Sequence, residues 1–140
     1  EQLGVDPGKC VLISAKIESE LASLPEEDQH EYLKELGLKE SGLERLASTA
    51  YHTLGLQSFL TAGEKEVRAW TIKKGTTAVE AAGVIHSDFM KKFIKANIST
   101  FEDFIEFQGW KKLRESGKMR QEGRDYVMQE NDVVEFMIGA

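Results

Sequence analysis

The chain has 140 residues, 41% hydrophobic and 30% charged, with a formal net charge of −6. That profile belongs to one globular domain, or a small domain with an appendage, and excludes a disordered or fibrous chain. No apolar run approaches the roughly 20 residues that span a bilayer. No basic stretch followed by an apolar one opens the chain, so neither a membrane span nor a secretory signal is expected. The single cysteine, Cys10, excludes an internal disulfide and is compatible with a reducing cytosol.

In chain order, Cys10-Val11-Leu12-Ile13 is a short apolar run without alternation, the pattern of a strand buried on both faces. Such a strand needs neighbours, and residues 14–56 supply helical signals instead. Ile17, Leu21 and Leu24 fall at helical spacing. Pro25 followed by Glu26-Glu27-Asp28 fits a helix start, where carboxylates meet the positive end of the dipole. Tyr32, Leu33 and Leu36 give this helix an apolar face before Gly37. Ser41-Gly42-Leu43-Glu44 has the spacing of a capping box. It opens a helix striped by Leu43, Leu46, Ala47, Ala50, Tyr51 and Leu54 and closed by Gly55. One doubly buried strand with helices and no sheet reads as a piece of a larger α/β domain.

A second unit begins at Gln57. Gln57–Thr61 and Glu66–Ile72 read as strands joined through Gly63-Glu64. Gly75 turns the chain, and Thr77-Ala78-Val79-Glu80 is a second capping box for a short helix ending at Gly83. A helical turn over Phe89–Phe93 and a strand over Phe93–Ile98 follow. Thr100 caps a helix carrying Phe101, Phe104 and Ile105, and Trp110–Ser116 is another, stopped by Gly117. Asp125–Met128 and Asp132–Ile138 close the pattern as strands. The predicted class is α+β, with an aromatic core drawn from Phe59, Trp70, Phe89, Phe93, Phe101, Phe104 and Phe136. The expected domains are residues 1–56 and 57–140.

Few residues suggest chemistry. His86 and Asp88 are close enough for acid–base work, but no nucleophile accompanies them, and a turn hydrogen bond is the plainer reading. Three scattered histidines and one cysteine give no zinc spacing. Cys10, at the head of an apolar strand, reads as a buried, inert thiol. Trp70 and Trp110 suit either base stacking or the core. The charge is uneven: residues 1–56 carry a balance of −6 and residues 57–140 a balance of 0. In the second part Lys111, Lys112, Arg114, Lys118, Arg120 and Arg124 cluster. They suit phosphate contacts, or a solvated surface, since Glu115, Glu122 and Asp125 interleave with them.

Longer phrases carry more. Leu60–Phe89 resembles the TGS domain of the YchF/Obg-like ATPases, a translation-linked branch of the P-loop NTPases. So do Phe101-Glu102-Asp103-Phe104-Ile105, Gly117–Gly123 and Asp132-Val133-Val134-Glu135-Phe136. The resemblance implies a β-grasp, ubiquitin-like fold for residues 57–140 and the end of an NTPase domain for residues 1–56. It places Ser14-Ala15 where such NTPases bring their last loop to the nucleotide. No G-x-x-x-x-G-K-[ST] sequence is present, so the segment alone is expected to be inactive and without a cofactor or metal. ATP or GTP with Mg would belong to the parent. The resemblance further implies a cytoplasmic protein whose partners are the ribosome or ribosomal RNA and its own NTPase domain, with no DNA or membrane partner. The competing expectation is an intramolecular gating element that contacts no RNA.

Overall fold

The computed structural model describes Gly4, residues 7–63 and residues 66–140. The chain forms two compact units, Glu1–Leu54 and Gly55–Ala140.

The first unit is helical: α1 (Ala15–Ser23), α2 (Glu26–Glu35) and α3 (Gly42–Thr53), after a single 3-10 turn at Pro7–Lys9. Ser14 caps α1, its hydroxyl accepting from the Ile17 N–H at 3.4 Å. The Pro25 carbonyl accepts from Asp28 and Gln29 to open α2. The capping box at Ser41 and Glu44 is complete. Gly42 donates its N–H to Glu18 Oε1 at 2.7 Å, and a Cβ there would lie 2.7 Å from the same oxygen. The bare glycine thus lets α1 hold the start of α3. Among the described residues of this unit, Leu21 and Leu33 are the buried apolar side chains.

Two expectations fail here. Cys10–Ile13 belongs to no strand: it has no ladder partner among the described residues, and Leu12 is 87% exposed. A strand exists only by pairing, and this unit offers no sheet to pair with. Cys10 is accordingly exposed, not buried.

The second unit is a five-stranded sheet in the order β2-β1-β5-β3-β4. Its strands are β1 (Leu56–Ala62), β2 (Val67–Lys73), β3 (Phe93–Ser99), β4 (Arg120–Glu122) and β5 (Val133–Ile138). β1 and β5 run parallel; every other pair is antiparallel. Between β2 and β3 lie α4 (Ala78–Ile85) and α5 (Ser87–Lys91), and between β3 and β4 lie α6 (Phe101–Glu106) and α7 (Trp110–Ser116). The β1–β2 connection predicted at Gly63-Glu64 falls partly outside the described residues, since Glu64 is not among them.

The register sorts the side chains. Phe59 faces Trp70, Gln57 faces Ile72, Ala96 faces Phe136 and Ile98 faces Val134. These line the face on which α4 packs Ala78, Ala81 and Ala82, all fully buried. Small residues on the helix let it sit close to the large side chains of the sheet. The opposite face presents Leu60, Val133, Glu135 and Asn97. There Trp110 of α7 donates its indole N–H to the Ala62 carbonyl at 2.7 Å, and Leu113 is fully buried.

Four departures from the expected pattern have physical causes. α4 runs past Gly83 to Ile85. Gly83 is a packing residue, because a Cβ there would come within 2.5 Å of Met90 Cε and 3.3 Å of Met90 Cβ. The predicted helical turn lies earlier, at Ser87–Lys91, because the His86 Nδ1 accepts from the Asp88 N–H at 3.1 Å and caps it. Asp125–Met128 alternates as predicted but forms only the isolated bridge Thr77↔Val127. Its backbone is spent on the α4 entry: Ala78 N–H donates to Tyr126 O and Met128 N–H to Thr76 O. The missed strand is β4, whose Arg120, Gln121 and Glu122 give no apolar signal because a short charged strand is what a sheet edge requires. Phe101 and Phe104, expected in the aromatic core, lie outside the observed one: Phe101 is 44% exposed, and Phe104 packs edge-on against Trp110 at 5.1 Å.

Because the core under α4 draws only on the second unit, residues 55–140 are expected to fold alone, as a domain of this size can. A dispersed amide spectrum from that piece, overlaying its signals in the whole chain, is the expected result. A collapsed spectrum would show that the first unit is needed.

Candidate nucleic-acid interface

The six clustered cations do not form one patch. α7 begins after Gly109 and ends where Gly117 takes φ +74, a left-handed cap that costs glycine nothing. Along it Trp110 and Leu113 turn inward, leaving Lys111, Lys112 and Arg114 exposed. Lys112 reaches Gln108 Oε1 at 2.6 Å, and Arg114 lies 3.8 Å from Glu135 Oε2. Lys118, beyond the cap, pairs with Asp103 at 3.7 Å. Lys111 has no hydrogen bond or ion pair among the described residues.

Arg120 and Arg124 are built into the fold. Arg120 pairs in register with Ile98, on the α4 side of the sheet. Its guanidinium lies 5.5 Å from the Tyr126 ring centroid and within 3.7 Å of both Glu122 and Asp132. Arg124 donates to the Phe93 carbonyl at 3.3 Å and lies 5.7 Å from the Phe93 ring centroid. A phosphate contact by either one competes with these bonds. Of the six cations expected to meet RNA, Lys111, Lys112, Arg114 and Lys118 are left exposed outside these structural bonds.

Asp132 is the centre of a lock that sequence reading missed. Its Oδ2 accepts from the Tyr126 hydroxyl at 2.9 Å and the Gln129 N–H at 2.8 Å, and it is 3% exposed. Burial pushes its carboxyl above the ordinary aspartate value against the pull of those donors and Arg120. Burial likewise raises the Tyr126 hydroxyl. Glu80 and Glu44 move the other way, each held below the usual glutamate value by the cap N–H it accepts, from Thr77 and Ser41 respectively. A second polar group was also missed. Asn97, 3% exposed, donates its side-chain N–H to Glu135 Oε2 at 2.7 Å and leaves its own Oδ1 unpartnered. For Asn97 the available signal was a polar residue in the middle of β3; Asp132, just before β5, gave none.

Trp70 packs against the core, its N–H on Thr61 Oγ1 at 2.9 Å and the Arg68 guanidinium 4.3 Å from its ring centroid. Trp110 is half-buried at the mouth of an open groove of about 950 Å³. Ser14 spends its hydroxyl on the α1 cap, and Ala15 is the first residue of that helix; both are exposed. His86 and Asp88 serve the α5 cap. No described helix is long and apolar enough to cross a membrane.

The model of the YchF-GTPase_C family, described as a protein of unknown function (DUF933), matches residues 56–139, the β-grasp unit with its α6–α7 face. The chain belongs to the YchF-GTPase_C family. Among YchF relatives, the ribosome-binding ATPase YchF of Escherichia coli O157:H7 is 49% identical over 137 residues, 97% of this chain and 38% of that protein. That of Bacillus subtilis (strain 168) is 49% identical over 91% of this chain and 35% of its own length. The chain thus spans little more than a third of the curated relatives it matches. The solved YchF GTPase of Schizosaccharomyces pombe superposes with a TM-score of 0.79 at 38% identity, over 89% of this chain and 33% of that one. A GTP-binding protein from Pyrococcus horikoshii OT3, at 19% identity and a TM-score of 0.51, shares the fold.

The opposed carboxyl shifts fix the sign of two pH effects. Glu80, held low, contributes stability that is full above the ordinary value of 4.5 and lost as pH falls through its folded value. Glu80→Gln should therefore cost more stability at pH 7 than at pH 3. Asp132, raised by burial, loses stability as pH rises from 3.8 through its folded value. Asp132→Asn should therefore cost most at low pH and less near pH 7. Asp132→Ala, which orphans the Tyr126 and Gln129 donors, should cost about 1–3 kcal/mol. Urea midpoints between pH 3 and 7 test all three; pH-independent differences would contradict the assignments.

Proposed function

We propose that this chain is the ribosome-contacting part of a longer, cytoplasmic nucleotide-hydrolysing protein, and that it meets ribosomal RNA through the α7 side of its β-grasp unit. One observation carries the reading: nearly the whole chain is matched at 49% identity by proteins named as ribosome-binding ATPases. The narrowed cation set supports the choice of side. Residues 1–56 are read as the end of the nucleotide-binding domain. ATP or GTP and its Mg would be held elsewhere in the longer protein. Ser14 and Ala15 offer at most a backbone contact, because the hydroxyl is committed to its cap.

A second reading, packing against the rest of the longer protein to gate it, draws support from the first unit. There α3 exposes Leu43 (60%) and Leu46 (46%), with Leu54 (66%) at its C-cap, all on the apolar stripe expected of that helix. The two readings part at the RNA, which a gating element does not contact.

The test is co-sedimentation of the longer protein with ribosomes across a salt series, wild type against Lys111→Ala/Lys112→Ala/Lys118→Ala. If each lysine neutralises one phosphate, the log–log salt slope should become shallower by about 2. The fold should be little changed, because exposed ion pairs contribute little stability. Equal binding and equal slopes would overturn the RNA-facing assignment and leave the gating reading.

A further inference from the structure

We propose that the groove between α6–α7 and the adjoining ends of β1 and β2 seats one unstacked nucleobase of single-stranded RNA. The inference rests on the ribosomal reading above and gives it a site. Three features meet in the groove. Its walls are apolar and aromatic: Val67, Ile105, Phe104 and Trp110 line it, with Val67 70% and Ile105 60% exposed. Trp110 is held in place, its N–H on the Ala62 carbonyl at 2.7 Å and its ring 5.1 Å from Phe104 in an edge-on pair. A fixed aromatic wall stacks on a base with little ordering cost.

The second feature is a polar pair on the same wall. Both contacts of the Glu135 carboxylate, from Asn97 at 2.7 Å and Arg114 at 3.8 Å, fall on Oε2. Oε1 has no partner among the described residues, and Arg114 remains 62% exposed with further N–H groups to give. An acceptor beside a donor complements a base edge that offers an imino N–H beside a carbonyl, as guanine and uracil do. The third feature is Lys111, on the groove rim and unpaired among the described residues, placed for a flanking phosphate. Glu115 also lines the groove, and its charge opposes a second phosphate beside it. An apolar protein side chain would fill the walls but leave Oε1 and Lys111 without partners.

The test uses the 140-residue chain with Trp70→Phe, which leaves Trp110 as the one tryptophan. Hexauridylate is compared with a hexamer of abasic ribose phosphates. Quenching of Trp110 by hexauridylate, with binding at least about tenfold tighter than to the abasic hexamer, is expected. Ile105→Glu should weaken hexauridylate about tenfold with the urea midpoint unchanged, because the side chain is already mostly exposed. Equal affinity for the two hexamers, or binding that leaves Trp110 emission and Ile105→Glu unaffected, would overturn the proposal. So would loss of ribosome sedimentation in Ile105→Glu without any response of Trp110 to RNA, which assigns the groove to a protein side chain. A silent groove with the salt-slope change intact defeats this inference alone; equal slopes defeat the reading beneath it.

Discussion

Parallel pairing of β1 with β5 through the middle of the sheet makes the β-grasp unit one object. Without it there are two antiparallel groups, β1–β2 on one side and β3–β4–β5 on the other. The seam is short: Leu60↔Val133 and Thr61↔Val134, extended by Leu60 N–H on Asp132 O at 2.8 Å and Asn131 N–H on Ser58 O at 2.9 Å. Two parallel strands cannot be joined by a tight turn, so the chain must leave one edge and return. The excursion is everything from β2 to β4. It lays α4 on one face and α6–α7 on the other, which gives the unit its two different surfaces. Asp132 stands at the point of return, its backbone in the seam and its side chain holding the approach from Tyr126 to Gln129.

Much of this architecture was legible because local rules and tertiary structure agree. The capping boxes at Ser41 and Thr77 are both present, and Gly117 ends α7 where the sequence predicted. The three longest strands sit where alternation placed them. What stayed hidden depends on partners distant in sequence. Cys10–Ile13 has strand composition but no strand to meet within the described residues. β4 is a strand only because β3 lies beside it. Gly83 looked like a helix stop until Met90 was brought against it.

The candidate surface was less legible than the fold. A run of cations in sequence looked like a single positive patch. β4 lies between Lys118 and Arg124, and the sheet divides the run. Arg120 and Arg124 serve the α4 side as structural bonds, while the α7 cations stay at the surface. Charge density along a sequence cannot separate these uses, because an arginine over a tyrosine ring and an arginine on a phosphate are the same letter. The same topology explains the Trp110 groove. Phe104 was expected in the core and Trp110 in the core or as a base platform; the two form a small aromatic pair beside an open surface.

The two faces therefore carry different work: α4 completes the core, and α6–α7 is the proposed contact side. Hydroxyl-radical footprinting of the longer protein, free and on ribosomes, tests that division most directly. Ile105, 60% exposed, and Trp110 should be protected on the ribosome, while Met90 (40%) and Val84 (49%) on the α4–α5 side keep their free-state reactivity. Protection of Met90 and Val84 with Ile105 and Trp110 unchanged would place the contact on the opposite face and contradict the account.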